Sequence, residues 1–264
     1  MIIERVWAAN PGRNFHYLVA CEATGEALAI DPLNWQAVLA AARKRGLEIR
    51  QILNTHEHLD HTGGNEKLQR ATGATILAHA DAAGRIGGVA RLLRDGDRIQ
   101  IGRTVSLRCL DTPGHTRAHI CAYSEEAGAS ALFSGDTLFN AGAGNCTHGG
   151  EPQLLFATFT DILAALPGGT RVFPGHEYMA RNLSFALSLE PSNGAAETLL
   201  RRCGALPAEQ MPVTTLAEER EVNPFFRLQQ AQIIAALRRL QPSLPAAPDP
   251  RSVFLALREL RNSW

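Results

Sequence analysis

The spacing of hydrophobic positions along this chain changes once, near residue 175, and that change organises everything else. Up to there, short apolar runs alternate with turn residues. Tyr17-Leu18-Val19-Ala20 and Ala27-Leu28-Ala29-Ile30 flank Thr24-Gly25 and predict a hairpin whose second strand ends at Asp31-Pro32. Apolar residues at helical spacing over 34–45, closed by Gly46, predict a helix. Gln51-Ile52-Leu53-Asn54 predicts a short buried strand, followed by a loop from His56 to Gly64 and a helix over 65–71 that stops at Gly73. Further strands are expected at 75–78, 97–101, 104–110, 118–123, 131–134 and 171–173, with a tight turn at Gly102-Arg103. Residues 151–166 predict a helix closed by Pro167-Gly168-Gly169. Strands interleaved with helices, hairpins among them, indicate a mixed α/β sandwich rather than a purely parallel sheet.

Beyond 175 the strand pattern stops. Helical periodicity covers 177–189, 194–203 and 225–240, and Thr215-Leu216-Ala217-Glu218 has capping-box spacing. A proline-rich connector over 242–250 precedes a last helix at Val253–Arg261. The expected organisation is therefore a catalytic domain over 1–175 and a small helical domain over 176–264.

Composition narrows the class. With 264 residues, 45 % of them hydrophobic, the chain can hold one large core with an appendage. Its 26 basic residues equal its 26 acidic ones, which argues against a general nucleic-acid binder. No apolar run is long enough to span a membrane, and the start Met1-Ile2-Ile3-Glu4-Arg5 lacks the pattern of a signal peptide. The five cysteines are odd in number and without CxxC spacing, which fits a reducing, cytoplasmic setting.

The histidines carry the chemistry. Thr55-His56-Glu57-His58-Leu59-Asp60-His61-Thr62-Gly63-Gly64 follows an apolar strand directly. Imidazole and carboxylate are costly to bury unpaired and are good ligands for divalent transition metals. His56 and His58 can reach one ion, while Asp60 and His61 reach a second. Three later strand-to-turn junctions deliver His115 (in Asp111-Thr-Pro-Gly-His), Asp136 (in Ser134-Gly-Asp) and His176 (in Phe173-Pro-Gly-His). His79 and His119 lie in strand-like segments and read as core, whereas His16 and His148 are open candidates for the lining of a pocket.

Together these motifs resemble the metallo-β-lactamase superfamily of binuclear hydrolases, and most closely its glyoxalase II branch. The resemblance extends through Asn14–Val19, Ala29–Pro32, DTPGHTRAHI, FSGDTLF, PGHEYMARNLSFALSLEPSN, Thr215–Glu219 and Asn223–Arg227. It implies an αββα sandwich with a C-terminal α-helical domain. In it His56, His58 and His115 hold one metal, Asp60, His61 and His176 hold the other, and Asp136 bridges them. Zinc is the expected ion, with iron or manganese compatible. The implied activity is hydrolysis of S-(2-hydroxyacyl)glutathione, in which Asp60 also accepts a hydrogen bond from the attacking water. Asp31 either orients a ligand imidazole or caps its Asp-Pro turn. Tyr178, Arg258 and Arg261 match positions that bind the thiol, though the two arginines equally suit a solvated helix face. The family's basic residue after the bridging Asp is replaced by Asn145, followed by Cys146, a candidate reactive or substrate-contacting thiol. A one-iron persulfide dioxygenase and a non-catalytic binding protein are the competing readings.

Overall fold

The computed structural model describes residues 1–264 except Ala127 and Ala205. A first sheet contains β1 (Ile2–Trp7), β2 (Phe15–Ala20), β3 (Glu26–Ile30), β4 (Glu48–Leu53), β5 (Thr75–His79) and β6 (Val89–Leu93), in that order. Its first three strands pair antiparallel and the remainder parallel. The second sheet is built from β7 (Arg98–Ile101), β8 (Val105–Asp111), β9 (Ile120–Ser124), β10 (Ala131–Gly135) and a late strand, β13 (Arg171–Pro174), which pairs parallel with β10. Between β10 and β13 lies a small hairpin, β11 (Leu138–Phe139) and β12 (Gly142–Ala143).

Both sheets are covered on both faces, and the two-residue period of the strands assigns each side chain to a layer. Phe15, Tyr17 and Val19 of β2 point between the sheets, meeting Leu107, Phe133 and Phe173. Their neighbour Leu18 points outward to a helical layer formed by α1 (Trp35–Lys44) and α3 (Asn65–Thr72). On the second sheet, Ala131 and Phe133 face inward while Leu132 faces out, and Val172 and Phe173 divide in the same way. The layers are thus α, β, β, α.

The outer layer on the second sheet comes largely from the C-terminal helices. Leu110, Tyr123, Leu132 and Val172 share one continuous cluster with Leu155 of α4 (Pro152–Ala157), Phe185 and Leu189 of α5 (Met179–Leu189), Leu237 of α8 (Ala231–Leu240), and Phe254 and Leu257 of α9 (Pro250–Ser263). A second, mostly helical cluster joins α5 to α6 (Gly194–Cys203), and Val222 of α7 (Leu216–Val222) belongs to it. The capping box at Thr215 is formed as its spacing predicts, each partner satisfying the other's backbone N–H.

Some elements differ from the pattern. The helix expected over 151–166 is regular only to Ala157; a π turn follows at Thr158–Ile162 and a 3-10 turn at Leu163–Ala165. At the break, the Thr158 hydroxyl donates to the Pro113 carbonyl (2.7 Å), tying the helix to the loop before His115. The helix expected over 225–240 begins only at Ala231, because Asn223 and Pro224 start a separate short turn at Pro224–Phe226. No helix among the described residues is long and apolar enough to cross a membrane.

Candidate metal centre

Four candidate ligands, and Asp31 behind them, gather because their strands run in the same direction. Asp31 follows β3, His56 follows β4, His115 follows β8, Asp136 follows β10 and His176 follows β13, so all five emerge at one edge of the sandwich. The helical turn α2 (Leu59–Thr62) then folds Asp60 and His61 back over the same edge. His58 Nδ1 lies 3.1 Å from both His56 Nε2 and His115 Nε2. His61 Nε2 lies 3.2 Å from His176 Nε2, with Asp60 Oδ2 at 3.6 and 3.4 Å from the two. Between these groups sits Asp136, with Oδ1 3.4 Å from His61 Nε2 and Oδ2 3.5 and 3.2 Å from His115 and His176 Nε2.

What each imidazole does with its other nitrogen shows why the inner atoms converge. His115 Nδ1–H donates to the Asn145 carbonyl (2.6 Å), and His176 Nδ1–H to the Gly12 carbonyl (2.6 Å). His58 donates from Nε2 to the His148 carbonyl (3.0 Å), and His61 from Nδ1 to Asp31 Oδ2 (3.0 Å). Thr55 Oγ1 gives its own proton to Asp31 Oδ2 (2.7 Å) and so accepts from His56 Nδ1 (3.0 Å). With these outer bonds made, each ring aims its other nitrogen inward, where among the described residues Asn14 Nδ2, 3.4 Å from His176 Nε2, is the amide donor within reach. Asp136 Oδ1 is buried without a hydrogen-bond partner. Lone pairs crowded to about 3 Å repel unless a cation lies among them, so this donor set fits divalent metal.

The electrostatics agree. Burial pushes His56 well below its usual range and His115 down to about 4, leaving both neutral as ligands must be. Burial acts the same way on His61, but Asp136 and Asp31 outweigh it and raise that group. A field that favours a proton there also favours a metal. Burial would raise Asp136, yet His176 and His61 hold it well below the carboxylate range, so it is ionised.

Tight backbone approaches hold Asp136 in place. Gly135 has φ +47°, and a Cβ there would lie 2.6 Å from Thr55 Oγ1 and 2.7 Å from His119 Nε2. A Cβ on Gly144 would overlap the Asp136 carbonyl oxygen. His119 is fully buried, stacks on His56 with ring centroids 5.3 Å apart, and accepts from Asp136 N–H (3.3 Å). His79 is also buried, with Nε2 3.3 Å from Asp111 Oδ1.

A cavity of about 450 Å³ opens over the ligands, lined also by Leu59 and His148. It adjoins a second of about 310 Å³ lined by Tyr178, Asn145, Arg258, Arg261, Arg181 and Asn262, and the two share Phe139, Asn145 and Tyr178. Tyr178 stacks on His176 at 5.1 Å and donates to the Gly12 carbonyl (3.0 Å); burial pushes its hydroxyl up to about 12. Arg258 is 3 % exposed, and its Nη1 donates to the carbonyls of Ala143 (2.7 Å) and Gly144 (2.8 Å). Arg261 donates to Asn182 Oδ1 (3.1 Å) and lies over the rings of Phe185 and Trp264. Neither arginine is on a solvated helix face.

Two sequence expectations need correction. Cys146 packs against the apolar cluster of the helical layer and lines neither cavity; burial pushes its thiol up to about 11, so it is no reactive thiolate. His16 does not line the groove either. It is wholly buried, accepts from Asn34 N–H (3.1 Å), and is pushed down to about 4 by burial. Two residues escaped the sequence reading. Asn14 donates to the carbonyl (3.1 Å) and carboxylate (3.2 Å) of Asp60, and its only sequence signal was its place in the Asn14–Val19 stretch. Arg181 reaches the groove from the helix after His176, and its only sequence signal was its place in the PGHEYMARN stretch.

Comparison with known proteins decides the family. The profile described as metallo-beta-lactamase superfamily matches residues 10–176, and that described as hydroxyacylglutathione hydrolase C-terminus matches 177–264. A hydroxyacylglutathione hydrolase of Polaromonas sp. is 55 % identical over 264 residues, covering all of both chains. The chain belongs to the hydroxyacylglutathione hydrolase family of the metallo-β-lactamase superfamily. A cytoplasmic hydroxyacylglutathione hydrolase of Arabidopsis thaliana is 37 % identical, with 95 % of each chain covered. Among solved structures, ETHE1 from Myxococcus xanthus superposes with a TM-score of 0.68 at 25 % identity, covering 100 % of this chain and 99 % of its own. The B3 metallo-beta-lactamase BLEG-1 matches at TM-score 0.65 and 22 % identity over 85 % of this chain and 99 % of its own, a likeness of fold alone. The segment matched by the hydroxyacylglutathione hydrolase C-terminus profile supplies Tyr178, Arg181, Arg258 and Arg261 to the groove.

Proposed function

We propose that this protein hydrolyses glutathione thioesters of 2-hydroxy acids, releasing the hydroxy acid and the free thiol, with two divalent cations held by His56, His58 and His115 and by Asp60, His61 and His176, and bridged by Asp136. The observation that carries the reading is the junction of two cavities: converging imidazoles on one side and guanidinium groups on the other. Zinc suits the five imidazoles and two carboxylates, and iron or manganese is compatible with them. When bound, the metals supply Lewis acidity to the acyl carbonyl and acidity to a water.

The chain's own residues do the remainder. Arg181 and Arg261 offer N–H donors to the carboxylates of the tripeptide, while Arg258 and Asn145 shape the floor beneath it. Tyr178 and Phe139, shared by both cavities, place the thioester sulfur at their junction. Asp60, whose side chain is 44 % exposed, is the ligand carboxylate facing the groove and accepts a hydrogen bond from the attacking water. Water adds to the acyl carbon and loses a proton, the carbon–sulfur bond breaks, and the sulfur leaves as thiolate, which takes up a proton as the free thiol. Asp31 fixes His61 as described, and the reaction belongs in the cytoplasm, where glutathione is abundant.

The complete second ligand set argues against a one-iron persulfide dioxygenase, and the absence of any lost ligand argues against a binding-only protein. The test is steady-state hydrolysis of S-lactoylglutathione by protein of measured metal content. Two metals per chain, with activity lost on chelation and restored by zinc, is the expected result; metal-loaded protein without thioesterase activity overturns the proposal.

A further inference from the structure

The cavity over the ligands has an end that the thiol does not use. Five of its lining residues are candidate ligands (His58, Asp60, His115, Asp136 and His176), and Phe139, Asn145 and Tyr178 are shared with the thiol cavity. Leu59 and His148 are what remains. If the sulfur lies at the junction, the acyl chain extends toward these two side chains.

The hydrogen bonds around His148 fix what its ring can recognise. Asn145 Oδ1 accepts from both Thr147 N–H (3.2 Å) and the Thr147 hydroxyl (2.8 Å), which sets the amide orientation and commits the hydroxyl proton. With that proton spent, Thr147 Oγ1 accepts from His148 Nδ1–H (2.9 Å). The neutral ring then carries its lone pair on Nε2, which is an acceptor for a hydroxyl and not a donor to a carbonyl. The His148 backbone is anchored as well, because its carbonyl accepts from His58 Nε2. Leu59 lines the same cavity, a leucine left 82 % exposed that offers apolar surface to a short alkyl group.

Resting on the proposed thioester chemistry, we infer that His148 is a specificity-determining residue: its Nε2 accepts the 2-hydroxyl of the acyl group, beside Leu59, and distinguishes 2-hydroxyacyl from plain acyl thioesters. A neutral hydrogen bond of this kind is worth roughly 3- to 10-fold in selectivity. The departure of the 145–148 loop from the family pattern thus acts on the acyl side of the groove, through Asn145 and Thr147, as well as on the thiol side.

The experiment compares kcat/KM for S-lactoylglutathione and S-propionylglutathione in wild type, His148→Ala, His148→Gln and Thr147→Val. The expected wild-type preference for lactoyl is about 3- to 10-fold. It should fall toward unity in His148→Ala, and also in Thr147→Val, which keeps the imidazole but frees its tautomer. It should be largely restored in His148→Gln, whose amide oxygen can reach the Nε2 position. A binding measurement independent of turnover uses the non-hydrolysable thioethers S-(2-hydroxypropyl)glutathione and S-propylglutathione, whose affinity ratio should follow the same order. A wild type without preference, or a His148→Ala protein that keeps the full preference, overturns the inference even when thioester hydrolysis is intact. Failure to hydrolyse either thioester at full metal loading would instead overturn the activity itself.

Discussion

Asp31 shows how much of the site rests on a residue that touches no metal position. It stands at φ +49°, a left-handed conformation uncommon for a non-glycine residue, with its carboxylate turned inward. Oδ1 accepts Thr55 N–H (2.8 Å), while Oδ2 takes the Thr55 hydroxyl and His61 Nδ1–H. One carboxylate therefore sets the tautomers of His61 directly and of His56 through Thr55. In Asp31→Asn an amide N–H must oppose one of these donors. Metal affinity should fall about 10- to 100-fold, read by competition with a chromophoric chelator, with the fold retained by circular dichroism. The ligands themselves were legible because seven ligand-type residues sit at strand ends and in one dense loop. Their outer partners were not, since three of the acceptors are backbone carbonyls, of Gly12, Asn145 and His148, which any residue supplies.

At the scale of elements, α7 deserves its place because of one buried side chain. Glu219 accepts from Ala141 N–H (2.8 Å), Thr214 Oγ1 (2.7 Å) and Asn223 Nδ2 (3.0 Å), and Asn223 also donates to the Gly142 carbonyl (3.0 Å). The helix thereby holds the hairpin that follows Asp136. Burial pushes the Glu219 carboxyl up from 4.5 to about 7 despite these donors. The folded state then holds a proton that the unfolded chain releases, so this group's contribution to stability is full below pH 4.5 and erodes as pH rises to about 7. Glu219→Gln cannot titrate. Its melting temperature relative to wild type should shift upward between pH 5 and pH 7.5 in matched thermal denaturation; a constant difference would contradict the assignment. The capping box of this helix was visible in the sequence, whereas nothing in the pattern set Glu219 apart from the neighbouring Glu218 as a buried side chain. The irregular helix after Ala157 was hidden for a related reason: its apolar periodicity continues through the π turn. Strand β6 was missed because three of its five residues are exposed and it lacks a clean alternation.

For the whole molecule, the decisive fact is that the helical segment shares a core with the second sheet. Phe254 is fully buried among the rings of Phe156, Phe159 and Phe225, which come from three different elements. Phe254→Ala should cost about 3–5 kcal/mol of unfolding free energy in urea denaturation, with a single transition for the whole chain. Two separated transitions would show that the helices fold apart from the sandwich. Strand and helix periods indicated a mixed α/β sandwich and the family resemblance implied its layer order, but the union of the cores was not readable. Periodicity says which face of an element is apolar and leaves open what covers it.

The backbone carbonyls behind the ligand histidines also bear on how such a protein can change over time. Asn145 and His148 orient His115 and His58 through main-chain oxygens, while their side chains line the groove and bond to Thr147. Mutation in this loop can therefore alter what the groove accepts while leaving the imidazoles aimed as before. Substrate preference and metal chemistry are inherited through different atoms of the same residues, and the first is free to drift while the second stands still.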